Sequence, residues 1–412
     1  MNSELIIICA NSCLYFALFL VTIFANRKSR TSILLTSLWA VSSATSIWYY
    51  LHVYHYSVQV KPLTIVPFIY LFVFSVISFI PIFKTKDVKI SHIDGNQQIV
   101  QFISILIGLV ALLPFCEAFI YLMRTMGVGL SQIANNYGEN FTYLSAPSQT
   151  FSRYLSYLRI VSPILFFYNL SLKKGHRAIS IGLLLAIVTP ILNNLNVGSR
   201  FVLVTDGLYL IYIYMLFYNQ IENGTRAIIT RVFLGFGSTF LILFLAITYY
   251  RFNSGNSDIS ILDWMSLYSG ESFLNFNSDL WTIHSSTGGD NAFFIFKHFL
   301  GLYADVNRNP DYLESLVPIR MNVFYTFIGD FLVDIGTYWT SIFIALISFI
   351  FSFFINFQKR MSLHKIILLG MYAKIVLNGF TYYTYLNAPL TPFYTTGIAL
   401  ILWIYFDTAK AP

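Results

Sequence analysis

Apolar residues fill long runs of the chain, and short polar or charged segments separate these runs. A run of about 20 apolar residues is long enough to cross the roughly 30 Å hydrocarbon core of a bilayer as a helix. Hydropathy and flanking charge together predict eleven such spans, near residues 4–25, 31–51, 63–83, 99–122, 153–171, 178–197, 201–219, 228–250, 324–355, 365–384 and 389–406. The ninth is too long for one upright helix, so we expect it to begin as a surface segment, to bend or tilt, and only then to cross.

Composition agrees with this pattern. The 412 residues are 57% apolar and 10% charged, and their mean hydropathy is +0.66. Such values are typical of a membrane protein and exclude an ordinary soluble domain. We therefore predict an all-α polytopic integral membrane protein with about 11 transmembrane helices, a single transmembrane domain over residues 1–412, and one large, partly helical loop on the outer side.

The basic residues predict the orientation. The segments that we assign to the inside, among them "NRKSR", "KTKDVK", "KKGHR" and "QKRMSLHK", hold most of the 25 lysines and arginines. Because basic residues mark the cytoplasmic side, the N-terminus is expected outside and the C-terminus in the cytoplasm. The first run follows "MNSE", which has no basic residue, so we interpret it as an uncleaved helix and not as a signal peptide. The net charge of +7 then needs no nucleic-acid partner.

Two segments assigned to the outside are longer than a simple connection. The smaller covers residues 124–152, and the larger covers residues 251–322 with eight acids against four bases. Within the larger, "NPDYLESL" predicts a short helix with Asn309 as its N-cap and Pro310 at its first position. The stretch "ILDWMSLYSGESFL" predicts a second helix, whose aromatic and aliphatic residues suit the membrane interface.

Several kinds of chemistry have no support in the sequence. The chain contains no Walker loop, HExxH, GxSxG or dinucleotide fingerprint. Cys9, Cys13 and Cys116 lie in apolar runs without disulfide or metal-ligand spacing, so we interpret them as packing residues. We therefore expect no cofactor and no metal. There is also no repeat at a fixed period and no inverted pair of broken helices, which disfavours a transporter.

Arginines at the outer ends of spans are the first candidate binding residues: Arg124, Arg153, Arg159, Arg200, Arg251 and Arg320. A guanidinium stays charged, and its rigid fork fits phosphate oxygens. Arg200 follows Gly198 and Ser199 at the mouth of a span, where the amides of a helix start would also favour a pyrophosphate. The alternative is an arginine that snorkels to lipid headgroups. Asp206, deeper in the same span, is a structural counter-ion or a catalytic group.

The stretch in which the large loop returns to the membrane holds a second set of candidates. Asp330 and Asp334 are four residues apart and share a helix face, and Arg320 lies on the approach. One carboxylate could act as a general base, or both could pair with outer arginines. His284 and His298 titrate in a useful range, with a structural role as the alternative.

Three segments give the chain a resemblance to a known family. They are "NNLNVGSRFVLV" at the start of a span, "LDWMSLYSGESFLNFN" in the large loop and "NVFYTFIGDFLVDIGTYWTSIFIALI" leading back into the membrane. With the order of spans and loops, these segments resemble the bacterial O-antigen or oligosaccharide repeat-unit polymerases of the Wzy type. The chain departs from the family in having fewer spans than many members and no matching histidine motif in the second half of the loop.

The resemblance implies a metal-independent glycosyltransferase at the periplasmic face of the bacterial inner membrane. Such an enzyme transfers a growing glycan from undecaprenyl pyrophosphate onto the next lipid-linked repeat unit, with inversion, and makes O-antigen or capsular polysaccharide. In this interpretation Arg200, Arg320 and Arg251 bind the pyrophosphate, and Asp330 or His284 accepts the proton of the acceptor hydroxyl. The expected partners are the lipid bilayer, undecaprenyl-pyrophosphate-linked oligosaccharides, and a chain-length regulator and flippase of the same pathway.

Other functions stay open at the level of sequence. An O-antigen ligase would share the arginines and the large loop, but it would attach finished polymer to the lipid A core. A lipid-linked oligosaccharide flippase would need a charged cavity through the membrane. A non-enzymatic scaffold would tolerate every arginine substitution. The large loop and the "GSR" segment favour the polymerase.

Overall fold

The computed structural model describes the chain except for residues 1–2, 26–28, 55–60, 86, 88–89, 91, 129–140, 173–174, 200, 254–259, 284, 303–309, 321–322, 356–359, 387 and 409–412. Most of the described chain is helical. The helices are α1 (Ser3–Ala25), α2 (Arg30–His52), α3 (Ile65–Lys84), α4 (Gln97–Val128), α5 (Ala146–Tyr157), α6 (Val161–Ser171), α7 (Arg177–Asn196), α8 (Phe201–Phe217), α9 (Asn223–Asn253), α10 (Ile261–Asn275), α11 (Phe294–Phe299), α12 (Pro310–Leu316), α13 (Thr326–Phe354), α14 (Leu363–Asn378) and α15 (Thr391–Thr408). A π-helix, Phe276–Leu280, follows α10, and two short strands are β1 (His92–Asp94) and β2 (Arg360–Ser362).

Each predicted span contains a helix, but one span is divided into two helices and another is shorter than predicted. The span expected over residues 153–171 is two helices, α5 and α6, because the chain turns at residues 158–160. The span expected over residues 365–384 is helical only as far as Asn378. The helices predicted in the large loop are confirmed as α10 and α12, and α12 begins at Pro310. Asn309, the expected N-cap, lies outside the described residues.

Within the described chain, five helices are long and apolar enough to cross a membrane: Ser3–Ala25, Ile65–Lys84, Gln97–Gly127, Arg177–Asn196 and Thr326–Phe354. The buried share of their most apolar 18 residues ranges from 17% in α13 to 56% in α7, so many of their apolar side chains are not covered by protein. Soluble proteins rarely expose so much contiguous apolar surface, which indicates hydrocarbon as the surrounding solvent. The chain is thus an all-α membrane protein, whereas the count of eleven spans and the periplasmic position of the large loop stay predictions.

The bend expected in the ninth span is present in α13. At Gly336 the backbone has φ 75° and ψ 167°, a conformation open essentially to glycine alone. Residues 326–334 before the bend are all buried, so this part lies inside the protein. The sequence had predicted a surface segment here. After the bend, Tyr338 and Trp339 are exposed, as is common for aromatic residues at a membrane interface.

The chain divides into two compact units. Unit 1 comprises Met1–Lys86, Leu262–Phe357 and Tyr372–Leu390. Unit 2 comprises Asp87–Ile261, Gln358–Met371 and Thr391–Pro412. Most of the large loop therefore folds together with the first three helices. The expected single transmembrane domain over residues 1–412 stays a prediction.

Aromatic side chains form the core of unit 1. Trp39 of α2 is fully buried, and its indole N–H donates a hydrogen bond to the carbonyl of Val376 at 3.0 Å. Four rings from four other helices surround it: Tyr15, Phe79, Phe273 and Phe327. Because Phe273 belongs to α10, the second half of this loop helix lies in the core. The first half exposes Leu262 and Met265.

One end of unit 1 joins the start of α1 to the large loop. The Glu4 carboxylate accepts hydrogen bonds from the Tyr50 hydroxyl at 2.7 Å and from the Leu63 backbone N–H at 3.2 Å. The Asn277 side chain exchanges two hydrogen bonds with the backbone of Thr64, at 3.0 and 2.6 Å. The π-helix is thereby held at the same end as Glu4.

The opposite end of unit 1 adjoins basic segments. Ser29, just before α2, donates a hydrogen bond to the carbonyl of Thr85, just after α3, at 3.3 Å. Ser29 lies within "NRKSR" and Thr85 within "KTKDVK". The large loop and the basic segments therefore lie at opposite ends of unit 1.

In unit 2, the end of α7 accounts for the glycine of the "GSR" segment. At Gly198, φ is 68°, its N–H donates to the carbonyl of Leu195 at 2.9 Å, and the Ser199 N–H donates to the carbonyl of Asn194 at 2.8 Å. These bonds form a Schellman motif, which ends α7 and allows α8 to start a few residues later. Gly198 is therefore required by the backbone of the helix end.

Candidate functional site

Polar side chains in unit 1 meet where the π-helix contacts the segment before α13. We call this group the Arg320 cluster, and its members are Tyr49, Glu271, Asp279, Arg320 and Tyr325. The Arg320 Nη2 atom lies 3.2 Å from Asp279 Oδ2, and the Tyr325 hydroxyl donates to the same oxygen at 3.3 Å. The side chain of Asp279 is 11% exposed, whereas that of Arg320 is 50% exposed. Asp279 thus holds the guanidinium in place and leaves half of the arginine side chain accessible.

The π-helix places Asp279 beside the arginine. Its wider turn interrupts the regular spacing of α10, and such turns often occur at functional sites. The Ser278 hydroxyl donates to Asp279 Oδ1 at 2.9 Å, which fixes the carboxylate from its other side. Gly329 of α13 allows the π-helix to pack closely, because an added Cβ there would lie 2.7 Å from the side chain of Leu280.

Asp279 further stabilises the charged form of Arg320, which is protonated at neutral pH in any case. Burial alone would lower the pKa of Arg320, but the hydrogen bond to Asp279 and the negative charge of that carboxylate raise it above its ordinary value. A charged guanidinium can bind an anion through two parallel N–H···O hydrogen bonds. The cluster therefore offers a fixed cation at the surface of unit 1.

Glu271 is the buried carboxyl group of the cluster and is only 4% exposed. Burial raises its pKa to about 7, although hydrogen bonds from Asn275 and from the Phe324 backbone and the charge of Arg320 act in the opposite direction. Near neutral pH this carboxyl group therefore exists in both protonation states. Such a group can accept or release a proton without a large change in free energy.

Asp334 accepts four hydrogen bonds from residues of the large loop. Its side chain is fully buried and accepts a hydrogen bond from the Thr287 hydroxyl. It also accepts from the backbone N–H groups of Asn291 at 2.9 Å, Ala292 at 2.6 Å and Phe293 at 2.9 Å. Successive amides that converge on one carboxylate form an anion-binding nest. The contacts of Asp334 therefore suit an anchor of the loop on α13.

Asp330 lies one turn earlier in α13 and is also buried. Its Oδ2 atom accepts a hydrogen bond from the Tyr383 backbone N–H at 2.5 Å. The helix turn that carries it starts at Thr326, which has φ 68°, an unusual value for a β-branched residue. The Thr326 N–H donates to the carbonyl of Thr381 at 2.8 Å, and its hydroxyl oxygen caps the N–H of Gly329 at 3.2 Å. These bonds hold the strained residue in place.

The structure does not describe the side chains of three further candidates. Arg200 and His284 lie outside the described residues. Arg251 belongs to the last turn of α9, and the structure does not describe its side chain. Arg320 is thus the one member of the expected arginine clamp whose surroundings the structure gives. The clamp, and the roles of Asp330 and His284 as bases, stay predictions.

Sequence reasoning did not single out Glu271 and Asp279. Both lie in "GESFLNFNSDL", whose residues 270–280 are all buried. A buried carboxylate is costly unless it is paired or functional, but only the structure shows that this segment is buried. Within the described residues, no group of three or more His, Cys, Asp or Glu could hold a metal ion.

Comparison of the chain with protein-family models, with curated proteins and with solved structures finds no match.

Proposed function

We propose that this chain is a Wzy-type polymerase, a glycosyltransferase that joins undecaprenyl-pyrophosphate-linked oligosaccharide repeat units into O-antigen or capsular polysaccharide. The observation that supports this proposal is the Arg320 cluster. It combines a cation with an accessible side chain and a buried carboxyl group with a pKa of about 7. Transfer from a pyrophosphate to a hydroxyl needs a positive charge for the leaving group and an acceptor for the hydroxyl proton.

The proposed site faces the outside of the bacterial inner membrane. The cluster belongs to the end of unit 1 that carries Glu4 and the π-helix, and the basic segments adjoin the other end. Because basic segments stay in the cytoplasm, the cluster faces the periplasm in this proposal. The N-terminus is then outside, and eleven spans bring the C-terminus into the cytoplasm.

The proposed reaction exchanges one bond at the anomeric carbon. The oxygen of the acceptor hydroxyl attacks that carbon, the bond from the carbon to the pyrophosphate oxygen breaks, and the electron pair leaves with the pyrophosphate. Arg320 binds the departing pyrophosphate. Arg200 and Arg251, which the sequence also suggests for this role, stay predictions. Asp330 and His284 are the bases that the sequence suggests for the hydroxyl proton.

The decisive substitution is Arg320→Lys, which keeps the charge but removes the fork. We expect chain growth to fall by about 100-fold or more, because loss of one preorganised donor to a developing anion typically costs that much. Purified protein in lipid vesicles would receive the lipid-linked oligosaccharides that accumulate in source cells lacking the protein. Polymer length and amount on a gel are the measurement.

The matched control is Arg177→Lys, at an exposed position at the start of α7. It should leave chain growth unchanged. Wild-type chain growth in Arg320→Lys, with the protein at its normal level, would contradict the role of Arg320. Wild-type protein that makes no polymer, but joins supplied polymer to lipid A core or only moves the lipid across the vesicle membrane, would identify a ligase or a flippase instead.

A further inference from the structure

The proposed reaction needs a group that accepts the proton of the attacking sugar hydroxyl. We infer that Glu271 is the catalytic base of the proposed polymerase and that its carboxylate accepts the proton of the attacking sugar hydroxyl. This inference rests on the proposed function. It differs from the sequence-based expectation, which assigned this role to Asp330 or His284.

Two other carboxylates of unit 1 already serve several donors. Asp279 accepts from Ser278 on one oxygen and from both Arg320 and Tyr325 on the other. Asp334 accepts four hydrogen bonds from the large loop. A carboxylate offers about four acceptor positions in all, so Asp334 has none left for a hydroxyl.

Glu271 retains acceptor capacity. Its hydrogen bonds come from the Asn275 side chain and the Phe324 backbone N–H, which leave about two of its four acceptor positions. Within the described part of the chain, the ion pair of the cluster joins Arg320 to Asp279 and does not include Glu271. A buried carboxylate without a close cationic partner has a high proton affinity, which is what a general base requires.

The cation of the cluster lies close enough to act on Glu271. The charge of Arg320 opposes the effect of burial on the pKa of Glu271. The base Glu271 and the anion-binding Arg320 therefore belong to the same cluster. The proposed transfer needs both groups, because the hydroxyl attacks and the pyrophosphate leaves at one carbon. The charged and titratable groups that face Glu271 are Tyr49 from α2, Asp279 from the π-helix, and Arg320 and Tyr325 from the segment before α13.

Aromatic rings lie near the helix turn that carries Glu271. Tyr268 lies one helical turn before Glu271, its ring is 5.7 Å from that of Phe324, and the Phe324 ring stacks on Tyr382 at 6.1 Å. All three side chains are partly exposed. Rings of this kind present apolar faces that suit the C–H surface of a sugar. The geometry therefore fits a saccharide acceptor.

The proton balance of the step is simple. The carboxylate of Glu271 takes the hydroxyl proton while the hydroxyl oxygen bonds to the anomeric carbon. The pyrophosphate leaves with the electron pair of the broken bond, next to Arg320. The neutral carboxylic acid then returns its proton to water, so that no further reactant is needed.

The test is Glu271→Gln, which keeps the shape and the hydrogen bonds but cannot accept the proton. We expect chain growth to fall by about 100-fold or more, as for loss of a general base. In the wild type, the rate should rise with pH through about 7, because the base acts only when it is deprotonated. Glu271→Gln should lose this rise, whereas Arg320→Lys should lower the rate and retain a rise.

Two further variants separate chemistry from folding. Glu222→Gln, at an exposed glutamate before α9, should leave the rate and its pH dependence unchanged. Glu271→Asp, which keeps a carboxylate, should restore part of the rate that Glu271→Gln loses. Equal losses in both variants, with a lower midpoint of thermal unfolding, would show a structural role and overturn the inference.

The outcomes also separate this inference from the proposed function. If the wild type polymerises and Glu271→Gln matches its rate and pH profile, Glu271 is not the base and the proposed function stands. If the wild type makes no polymer from the lipid-linked oligosaccharides, the proposed function and this inference both fail.

Discussion

At the scale of single residues, carboxylates in unit 1 are distinguished by their surroundings and not by their type. Asp334 accepts hydrogen bonds from the large loop, Asp279 is paired with a guanidinium, and burial is the main influence on Glu271. A carboxyl group therefore has three different roles in unit 1. Asp334 anchors the loop, Asp279 holds a cation, and Glu271 titrates near neutral pH. Sequence alone cannot separate these roles, because each depends on donors from distant segments.

The role of Asp334 leads to a prediction about stability. Asp334→Asn should lower the free energy of unfolding by about 2–4 kcal/mol, because the loop amides lose their charge-assisted bonds and the amide NH₂ faces donors. The loop that includes Thr287 and Phe293 should also become more sensitive to protease. Thermal unfolding and limited proteolysis in detergent would measure both effects.

Asp311→Asn provides the comparison for that variant. Asp311 is exposed in the first turn of α12, so its loss should cost less than about 1 kcal/mol. Equal stability of the Asp334 and Asp311 variants would show that Asp334 does not anchor the loop.

The sequence predicted that Asp330 and Asp334 share a helix face, and both lie in α13 as buried residues. It left open whether they act as bases or pair with arginines. The structure shows their donors instead: Tyr383 for Asp330 and the large loop for Asp334. These contacts come from segments far away in the chain, so periodicity could not reveal them.

At the scale of elements, α13 combines two environments in one continuous helical run. Its first turns pack inside unit 1 under the π-helix, and its later turns expose apolar side chains such as Phe349, which is 69% exposed. The bend at Gly336 separates the two parts. The length of the apolar run predicted a bend, but only the backbone conformation locates it at this glycine.

The bend gives a second prediction about stability. Gly336→Ala should destabilise the protein by about 1–3 kcal/mol, because an L-residue pays for this φ and ψ even where space is open. The lowered midpoint of thermal unfolding in detergent is the readout.

Gly207→Ala is the matched change in α8. An added Cβ there meets nothing within 4 Å, and its φ is not positive. This variant should be neutral or more stable by up to about 1 kcal/mol, as expected for glycine replaced by alanine in a helix. A Gly336→Ala protein as stable as Gly207→Ala would mean that the bend imposes no strain.

At the scale of the whole molecule, the charge pattern and the structure of unit 1 indicate the same orientation in the membrane. The basic segments adjoin one end and the large loop lies at the other. The exposed apolar side chains between them require a hydrocarbon surrounding. Together these features support the proposed orientation, in which the Arg320 cluster faces outward.

Cysteine labelling would test that orientation. In a variant with Cys9, Cys13 and Cys116 replaced by serine, Ser286→Cys in the large loop should react with a membrane-impermeant maleimide in intact spheroplasts. Asn223→Cys, at the start of α9, should react only after the membrane is opened. Both serine and asparagine positions are exposed in the protein. The reverse pattern of labelling would overturn the orientation.

The sequence by itself determined the class of the protein and the positions of its helices, because burial in hydrocarbon imposes long apolar runs that can be read locally. Only the tertiary structure decided that α10 enters the core, that the π-helix sets Asp279 against Arg320, and that Glu271 is buried beside them. These arrangements depend on contacts between segments that are distant in the chain. A hydropathy pattern contains no record of such contacts, whereas the pKa and the pairing of each carboxylate depend on them.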